Sequence, residues 1–320
     1  MSSQVKWGVL GYARIAKTSV IPGILQSDNA QLYAIASGSE EKRQEVRDTY
    51  EGTRVYESYG QLLDDPEVQA VYIPLPNSMH KEWAIEAVNR GKHVLCEKPI
   101  ALNSEECEAM IAASEKNGVY LMEAFMYRYT DRVRKLREVV DSGEIGEIRY
   151  IHSAFRFLLN RPNTIKVQPE LGGGSLYDVG CYPVNFIGMI TGEIPESCVS
   201  QSVKEHGVDV LFSAVLKYPS GIVASINSGF NAFGQMNSEI VGTKGRIEIP
   251  DTFLGTAGRI AVVTDDGRRE IEVAESDRYT LEVADFSAAV LEGRAPLFSL
   301  EETRRNMQVL DMLLASMKSE

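Results

Sequence analysis

Residues 5–124 alternate two kinds of segment, and that rhythm constrains the fold more than anything else in the chain. Short apolar runs that do not alternate with polar residues recur at "VKWGVLG" (5–11), "AQLYAIASG" (30–38), "QAVYIPLP" (69–76), "HVLC" (93–96) and "VYLMEA" (119–124). A strand apolar on both faces is a strand covered on both faces. Between these runs lie stretches with helical spacing. They are "AKTSVIPGILQ" (16–26, despite Pro22), the polar "SEEKRQEVRDTY" (39–50) with Ser39 as cap, "HKEWAIEAVNRGK" (80–92) and "SEECEAMIAASEKNG" (104–118). The last opens on Ser104 as a capping residue and closes on Asn-Gly. Strand and helix in strict alternation predict a parallel sheet covered on both faces.

Beyond about residue 145 the period falls to two. "GEIRYIHSAFRF", "SCVSQSVKE", "DVLFSAVLKY", "GIVASINSGF", "SEIVGTKGRIEIP" and "RIAVVTDDGRREIEV" alternate apolar with polar and are joined by turns such as Tyr-Pro-Ser-Gly and Asp-Asp-Gly. This predicts a large, open, mostly antiparallel sheet. A helix near "GGSLYDVGCYPVNFIGMI" interrupts it, and two helices, 278–291 and 300–317, close the chain. With 320 residues, two domains are expected: a parallel-sheet one over 1–124 and an α/β one over 125–320, whose closing helices have the option of packing back on the first.

A net charge of −12 speaks against a nucleic-acid partner, whose footprint is basic. No apolar run is long enough for a membrane span and no signal peptide is seen, so a cytoplasmic protein without a membrane partner is expected. Cys96, Cys107, Cys181 and Cys198 have neither C-x-x-C pairing nor metal-ligand spacing, so they are expected to be reduced and no metal is expected.

Three stretches carry chemistry. In "GVLGYARIA" Gly11 sits between the first strand and the first helix, where a tight turn brings free backbone N–H groups to a pyrophosphate. Ala13 replaces the second glycine of the full fingerprint, and a plain strand–helix turn is the alternative. The second strand ends in "ASGSEEK" without the acid that holds a ribose hydroxyl. Ser37, Gly38 and Ser39, followed by Lys42 and Arg43, suit a 2′-phosphate, so NADP is favoured with NAD as the alternative; a simple Ser cap is compatible with both. At the end of "HVLC", Glu97-Lys98-Pro99 places a lysine at the carboxyl edge of the sheet, where ligands of such folds lie. An ordinary charged surface turn explains those residues equally well. "IPLPNSMH" ends the neighbouring strand with Pro74, Pro76, Asn77 and His80, a rigid loop at the same edge. In "ELGGGSLYDVGCYPVN" Asp178 and Tyr182 are four apart, so on a helix they share a face below a glycine-rich entry. A core aromatic with its hydroxyl satisfied by Asp178 is the plainer alternative.

In this order the motifs resemble the glucose–fructose oxidoreductase / inositol dehydrogenase / rhizopine-catabolism family (Gfo/Idh/MocA), and the resemblance runs over essentially the whole chain. It rests on "GVLGYARIA", "ASGSEEK", "AVYIPLPNSMHKEWAIEAVNRGKHVLCEKPIA", "MEAFMYRY", "GEIGEIRYIHSAFRF" and "LGGGSLYDVGCYPVN". The "EAFMYR" and "DVGCY" versions look most like the branch of glucose–fructose oxidoreductase, NADP-dependent D-xylose 1-dehydrogenase and dimeric dihydrodiol dehydrogenase. The resemblance implies a Rossmann domain followed by an α/β domain whose open sheet serves oligomer contacts. It implies Lys98, Asp178 and Tyr182 as catalytic residues. For the cofactor it implies Gly11, Tyr12, Arg14, Ile15, Ser37, Lys42, Leu75, Asn77, His80, Glu97, Lys98 and Arg128, and for the substrate pocket Met126, Phe155 and Lys166. Lys166 and Gly38 each stand where an arginine is common in the family.

The expected activity is reversible hydride transfer between a nicotinamide and a hydroxyl-bearing carbon of a sugar, polyol or vicinal diol. Phenol, with a pKa of about 10, is a poor base at neutral pH, and Lys98 is expected to favour the phenolate of Tyr182. Asp178 is expected to orient Lys98 or bind a substrate hydroxyl. Reduction of a ketosugar or other carbonyl is the alternative reaction, and a non-catalytic NADP-sensing regulator the alternative from another class. A homodimer or homotetramer through the C-terminal sheet is expected, with Phe212, Val215 and Ile226 on the face needing cover.

Overall fold

A computed structural model describes residues 4–161 and 164–318. The described chain divides into two compact units. One comprises the residues up to Met126 together with Asp277–Thr303; the other runs Tyr127–Ser276 and continues from Arg304. The first unit therefore extends two residues past the expected boundary and takes in a second segment that holds Arg278–Glu292 and the start of Leu300–Lys318.

The first unit holds a six-stranded parallel sheet in the order β3-β2-β1-β4-β5-β6, made by β1 (Val5–Leu10), β2 (Ala30–Ala36), β3 (Arg54–Tyr56), β4 (Ala70–Ile73), β5 (His93–Glu97) and β6 (Leu121–Ala124). β4 and β6 are buried from end to end and β1 at every residue but Lys6, in keeping with their apolar sequences. Three residues of β3 were not legible as a strand: it is an edge piece with half-exposed or exposed side chains.

Helix boundaries follow from caps. Ser39 accepts from Lys42 N at the start of Glu40–Thr49, as expected. The cap of Ser104–Asn117 is Asn103, whose Oδ1 accepts from Glu106 N at 2.8 Å, so Ser104 is the first helical residue. Gly118 ends that helix in the left-handed region at φ 64°. The first helix is not a plain α-helix: a π turn, Ala16–Val20, precedes Ile21–Gln26. Pro22 has no N–H to give the carbonyl four residues back, and a wider turn ahead of it absorbs the loss. Gly23 then lets the helix lie close to Arg278–Glu292, since a Cβ there would stand 2.9 Å from the Tyr279 carbonyl carbon. Trp7 Nε1 donates to Ser287 Oγ at 3.0 Å and fixes the same helix on β1.

The second unit holds an eight-stranded sheet in the order β14-β13-β12-β11-β7-β10-β9-β8. Its strands are β7 (Ile148–Arg156), β8 (Ser197–Glu205), β9 (Val208–Lys217), β10 (Val223–Gly229), β11 (Ser238–Gly242), β12 (Gly245–Ile249), β13 (Gly258–Thr264) and β14 (Gly267–Val273). Every pairing is antiparallel except β10 with β7. The single run "SEIVGTKGRIEIP" is a hairpin of two strands, β11 and β12.

Helix Cys181–Thr191 covers one face of this sheet over β7 and β10. The assignment of Phe212, Val215 and Ile226 to one exposed face is corrected. Phe212 and Ile226 are buried, whereas Val215 is 52% exposed. Side chains alternate along a strand, so residues 212 and 215 cannot share a face. The uncovered face instead carries Val215 beside its register partner Val199, with Val203 and Tyr150. No helix among the described residues is long and apolar enough to cross a membrane.

Candidate active site

In the first unit the strand order reverses between β1 and β4, and ligands of doubly wound sheets bind in the crevice at such a switch point. The turns leaving those two strands meet there. Gly11 follows β1 with φ 105°, a region that favours glycine, and a Cβ on it would lie 3.1 Å from Leu75 Cδ2, after β4. Its N–H donates to Ala36 O at 2.9 Å, which ties the turn to the end of β2. Tyr12 is buried with its ring edge-on to Tyr50, and burial pushes its phenol pKa up; Arg14 is exposed and Ile15 half-buried. A tight glycine turn at the switch point fits a diphosphate.

The next turn fits a phosphate by its space and donors. A Cβ on Gly38 would meet nothing within 4 Å. Ser37 Oγ accepts from Ser39 N at 3.3 Å, and Ser39 Oγ from Lys42 N at 3.3 Å, so both readings of these serines, cap and open turn, hold together. Lys42 is exposed. Arg43, read from the sequence beside Lys42 as a phosphate partner, is buried under the turn, donates from Nη1 to Ser37 O at 2.8 Å and pairs with Glu40. The four-residue spacing from Ser39 was the available signal, since it brings position 43 back under the cap.

The loop after β4 and the turn after β5 are joined by one side chain. His80 has no exposed surface; Nδ1 lies 2.9 Å from Pro99 O and Nε2 2.9 Å from Leu75 O. Both ring nitrogens are therefore occupied by backbone carbonyls, and the expected direct contact of His80 with a cofactor gives way to a role in holding two loops. Asn77 lies in the short 3₁₀ turn before it, half-buried. Glu97 accepts from Tyr72 Oη at 2.6 Å and from Lys98 N at 3.3 Å, and is thereby turned toward the strand beside it. Lys98 is half-buried at the end of β5, and the Lys98–Pro99 peptide is cis.

Beside that turn lies a residue given no role in the sequence reading, although it stands inside the quoted "MEAFMYRY". Glu123, on β6, has no exposed surface, accepts from Ile100 N at 3.0 Å through Oε1, and has no partner for Oε2 other than the neighbouring Thr303 hydroxyl. Burial pushes its carboxyl up to about 8, against the pull of the Ile100 N–H, the Thr303 hydroxyl and Lys98. A lone acid in an apolar strand was the signal for it. Met126, one turn on, is buried at the end of this unit.

In the second unit Asp178 lies in a π turn, Leu176–Gly180, that runs into Cys181–Thr191. The sequence predicted an α-helix throughout. Gly180 is required by packing: a Cβ there would stand 2.9 Å from Leu176 Cδ1 and 3.0 Å from Ser228 Oγ of β10. The three glycines likewise answer to the chain itself. Gly172 caps a short turn at φ 78°, a Cβ on Gly173 would press on the Lys166 and Gln168 carbonyls, and one on Gly174 would stand 2.4 Å from Asp209 Oδ1. Asp209, also unassigned by the sequence reading, is buried and accepts from Ser175 Oγ at 2.6 Å and Leu176 N at 2.8 Å. It anchors the turn that presents Asp178.

The Asp178 carboxylate forms an ion pair with Lys166, whose ammonium also lies 5.7 Å from the centre of the Phe157 ring. Tyr182 is buried in an aromatic cluster, its ring centre 5.2 Å from Phe155, 5.4 Å from Phe253 and 6.0 Å from Tyr127. Asn185, one turn further, accepts on Oδ1 from Tyr127 Oη at 2.5 Å and Arg128 Nη1 at 3.4 Å. Arg128 is buried and belongs to this unit.

A switch-point glycine turn, a doubly wound sheet and a second unit built on an open sheet define a dinucleotide-binding oxidoreductase. The chain belongs to the GFO/IDH/MocA family of oxidoreductases: residues 5–125 match the model described as "Oxidoreductase family, NAD-binding Rossmann fold", and residues 133–248 match the GFO/IDH/MocA C-terminal domain. It is 37% identical over 316 residues to a D-xylose 1-dehydrogenase (NADP(+)) of Haloferax volcanii, covering 97% of this chain and 96% of that one. It is 34% identical over 249 residues to a trans-1,2-dihydrobenzene-1,2-diol dehydrogenase of Xenopus laevis, covering 77% and 75%. A crystal structure of KijD10, a 3-ketoreductase from Actinomadura kijaniata in complex with NADP and TDP-benzene, superposes with a TM-score of 0.93 at 28% identity, covering 98% of both chains.

Proposed function

We propose that this oxidoreductase is an NADP-dependent dehydrogenase acting on a hydroxyl-bearing carbon of a sugar, polyol or vicinal diol. The observation that carries the reading is the pair of turns at the switch point, Gly11 against Leu75, continued by an acid-free second turn at Ser37–Ser39. A bound nicotinamide supplies the hydride acceptor. Gly11, Tyr12, Arg14 and Ile15 hold the diphosphate turn; Ser37 and Lys42 meet the 2′-phosphate; Leu75 and Asn77 line the loop after β4. Lys98 supplies a fixed cation, Tyr182 takes the proton of the reacting hydroxyl, and Asp178 with Lys166 anchors neighbouring hydroxyls. Met126 and Phe155 supply apolar walls, and Arg128 acts through Asn185.

Replacing Tyr182 by Phe tests this. It keeps the ring in its aromatic cluster and removes only the proton acceptor. The expected result is unchanged NADP+ affinity with turnover lower by about a hundredfold or more; unchanged turnover would eliminate the assignment.

Carbonyl reduction is the same chemistry in reverse, and the likeness to a 3-ketoreductase favours testing ketosugars alongside. The uncovered sheet face with Val199, Val203, Val215 and Tyr150 supports a homodimer or homotetramer through that face. Light scattering of a Val199→Glu, Val215→Glu double variant tests it: dissociation is expected, and an unchanged mass would contradict the assignment.

A further inference from the structure

One peptide unit in the first domain is gripped at both ends by buried ionisable side chains. It joins Pro99 to Ile100, directly after Lys98. Its carbonyl oxygen, on Pro99, is 2.9 Å from His80 Nδ1; its N–H, on Ile100, donates to Glu123 Oε1 at 3.0 Å. The two side chains come from different elements, His80 from the start of helix His80–Asn89 and Glu123 from β6, and neither has any exposed surface.

A buried backbone N–H and C=O must find partners, and a neighbouring strand could have supplied them with neutral groups. An acid and an imidazole are costly ways to do it. Carbonyl oxygens only accept, so the Pro99 and Leu75 carbonyls are both satisfied only when both His80 nitrogens carry hydrogen. Burial works against that protonation. Glu123 has no other partner for Oε2 than the neighbouring Thr303 hydroxyl, while Oε1 holds Ile100. Such groups earn a place in a core only where geometry must be held tightly.

We propose that His80 and Glu123 are positioning residues for Lys98, clamping the Pro99–Ile100 peptide so that the lysine stands at one fixed place on the edge of the sheet. The inference rests on the reading that Lys98 acts at the reacting centre. The clamp has two jaws: Glu123 bears on the Pro99–Ile100 peptide away from the glycine turn, whereas His80 also holds the Leu75 carbonyl beside that turn.

The test uses Glu123→Leu, Glu123→Gln, His80→Gln and Lys98→Met in the full chain. Three quantities are measured: NADP+ affinity by fluorescence quenching, turnover with the fastest member of a panel of aldoses, inositols and vicinal diols, and hydrogen exchange of the Ile100 amide. Glu123→Gln keeps an acceptor oxygen and is expected within about threefold of the parent in turnover. Glu123→Leu is expected to keep NADP+ affinity, to exchange the Ile100 amide faster, and to lose about tenfold to a hundredfold in kcat, the range a small misplacement costs. His80→Gln provides the same kcat loss through the other jaw should the leucine variant not fold. A folded Glu123→Leu protein with parental kcat, or with parental Ile100 exchange, overturns the proposal. Parental turnover in Lys98→Met would instead overturn the underlying assignment of the lysine, and the exchange result would still decide whether the clamp exists.

Discussion

Lys166 and Asp178 form an ion pair on the second unit, one side chain reaching back from the Ile165–Val167 turn to the turn that leads into Cys181–Thr191. From the sequence, Asp178 was expected to orient Lys98 or bind a substrate hydroxyl, and Lys166 to anchor substrate. The two residues are paired with each other; under the proposed function the aspartate accepts from one substrate hydroxyl and the lysine donates to a second.

Removing the cation should therefore weaken substrate binding and spare the cofactor. Lys166→Met is expected to raise KM by about tenfold, the equivalent of one hydrogen bond to a charged group, while Lys166→Arg stays near the parent. Steady-state kinetics at saturating NADP+ check this; an unchanged KM would remove Lys166 from the pocket.

Asp209 should matter for stability more than for chemistry. Its carboxylate satisfies Ser175 Oγ and Leu176 N, and Asp209→Ala leaves both without a buried partner. A loss of about 1–3 kcal/mol is expected, seen as a lower Tm. Asp209→Asn keeps one acceptor oxygen and should fall between. Gly174→Ala attacks the same contact from the other side, at φ 120° and with a Cβ 2.4 Å from Asp209 Oδ1, and should be destabilising as well.

Glu123 gives a pH dependence with a definite sign. Its carboxyl is raised from 4.5 to about 8 in the fold. Between those values the folded protein holds a proton that the unfolded chain releases, so this group's contribution is full at acid pH and is lost as pH rises toward 8. The loss is on the order of 5 kcal/mol. Glu123→Gln has no such proton, so its Tm should fall less than the parent's between about pH 5 and about pH 8. Parallel Tm curves over that range would show that the carboxyl is not protonated in the fold.

The turn at Gly38 has room for a larger side chain, since a Cβ there meets no neighbour. Gly38→Arg should tighten NADP+ binding by about threefold to tenfold through an added phosphate contact and leave NAD+ binding unchanged. Fluorescence titration with each cofactor separates the two; equal changes for both would place the 2′-phosphate elsewhere.

What the sequence disclosed, and what it hid, follows from how each signal works. The parallel strands were legible because burial on both faces leaves an unbroken apolar run, as in "VLC" (94–96). Strand β3 was not, because an edge strand of three residues needs no such run. The two π turns, 16–20 and 176–180, leave no mark in apolar spacing and were read as α-helix. Phe212 and Val215 were placed on one face although an odd separation puts them on opposite faces. The proposed ligand-facing positions stand at breaks in pattern, such as Glu97-Lys98-Pro99. Their supports, Glu123 and Asp209, were equally anomalous acids in apolar strands, but a partner three-dimensionally near and distant in sequence is what gives them meaning.

The most direct measurement follows nicotinamide absorbance while the purified protein is offered NADP+ or NAD+ with a panel of aldoses, inositols, vicinal diols and, with the reduced cofactors, ketosugars. The account predicts turnover of at least one hydroxyl–carbonyl pair, faster with the 2′-phosphorylated cofactor. Tight cofactor binding with no redox change across the whole panel would contradict it.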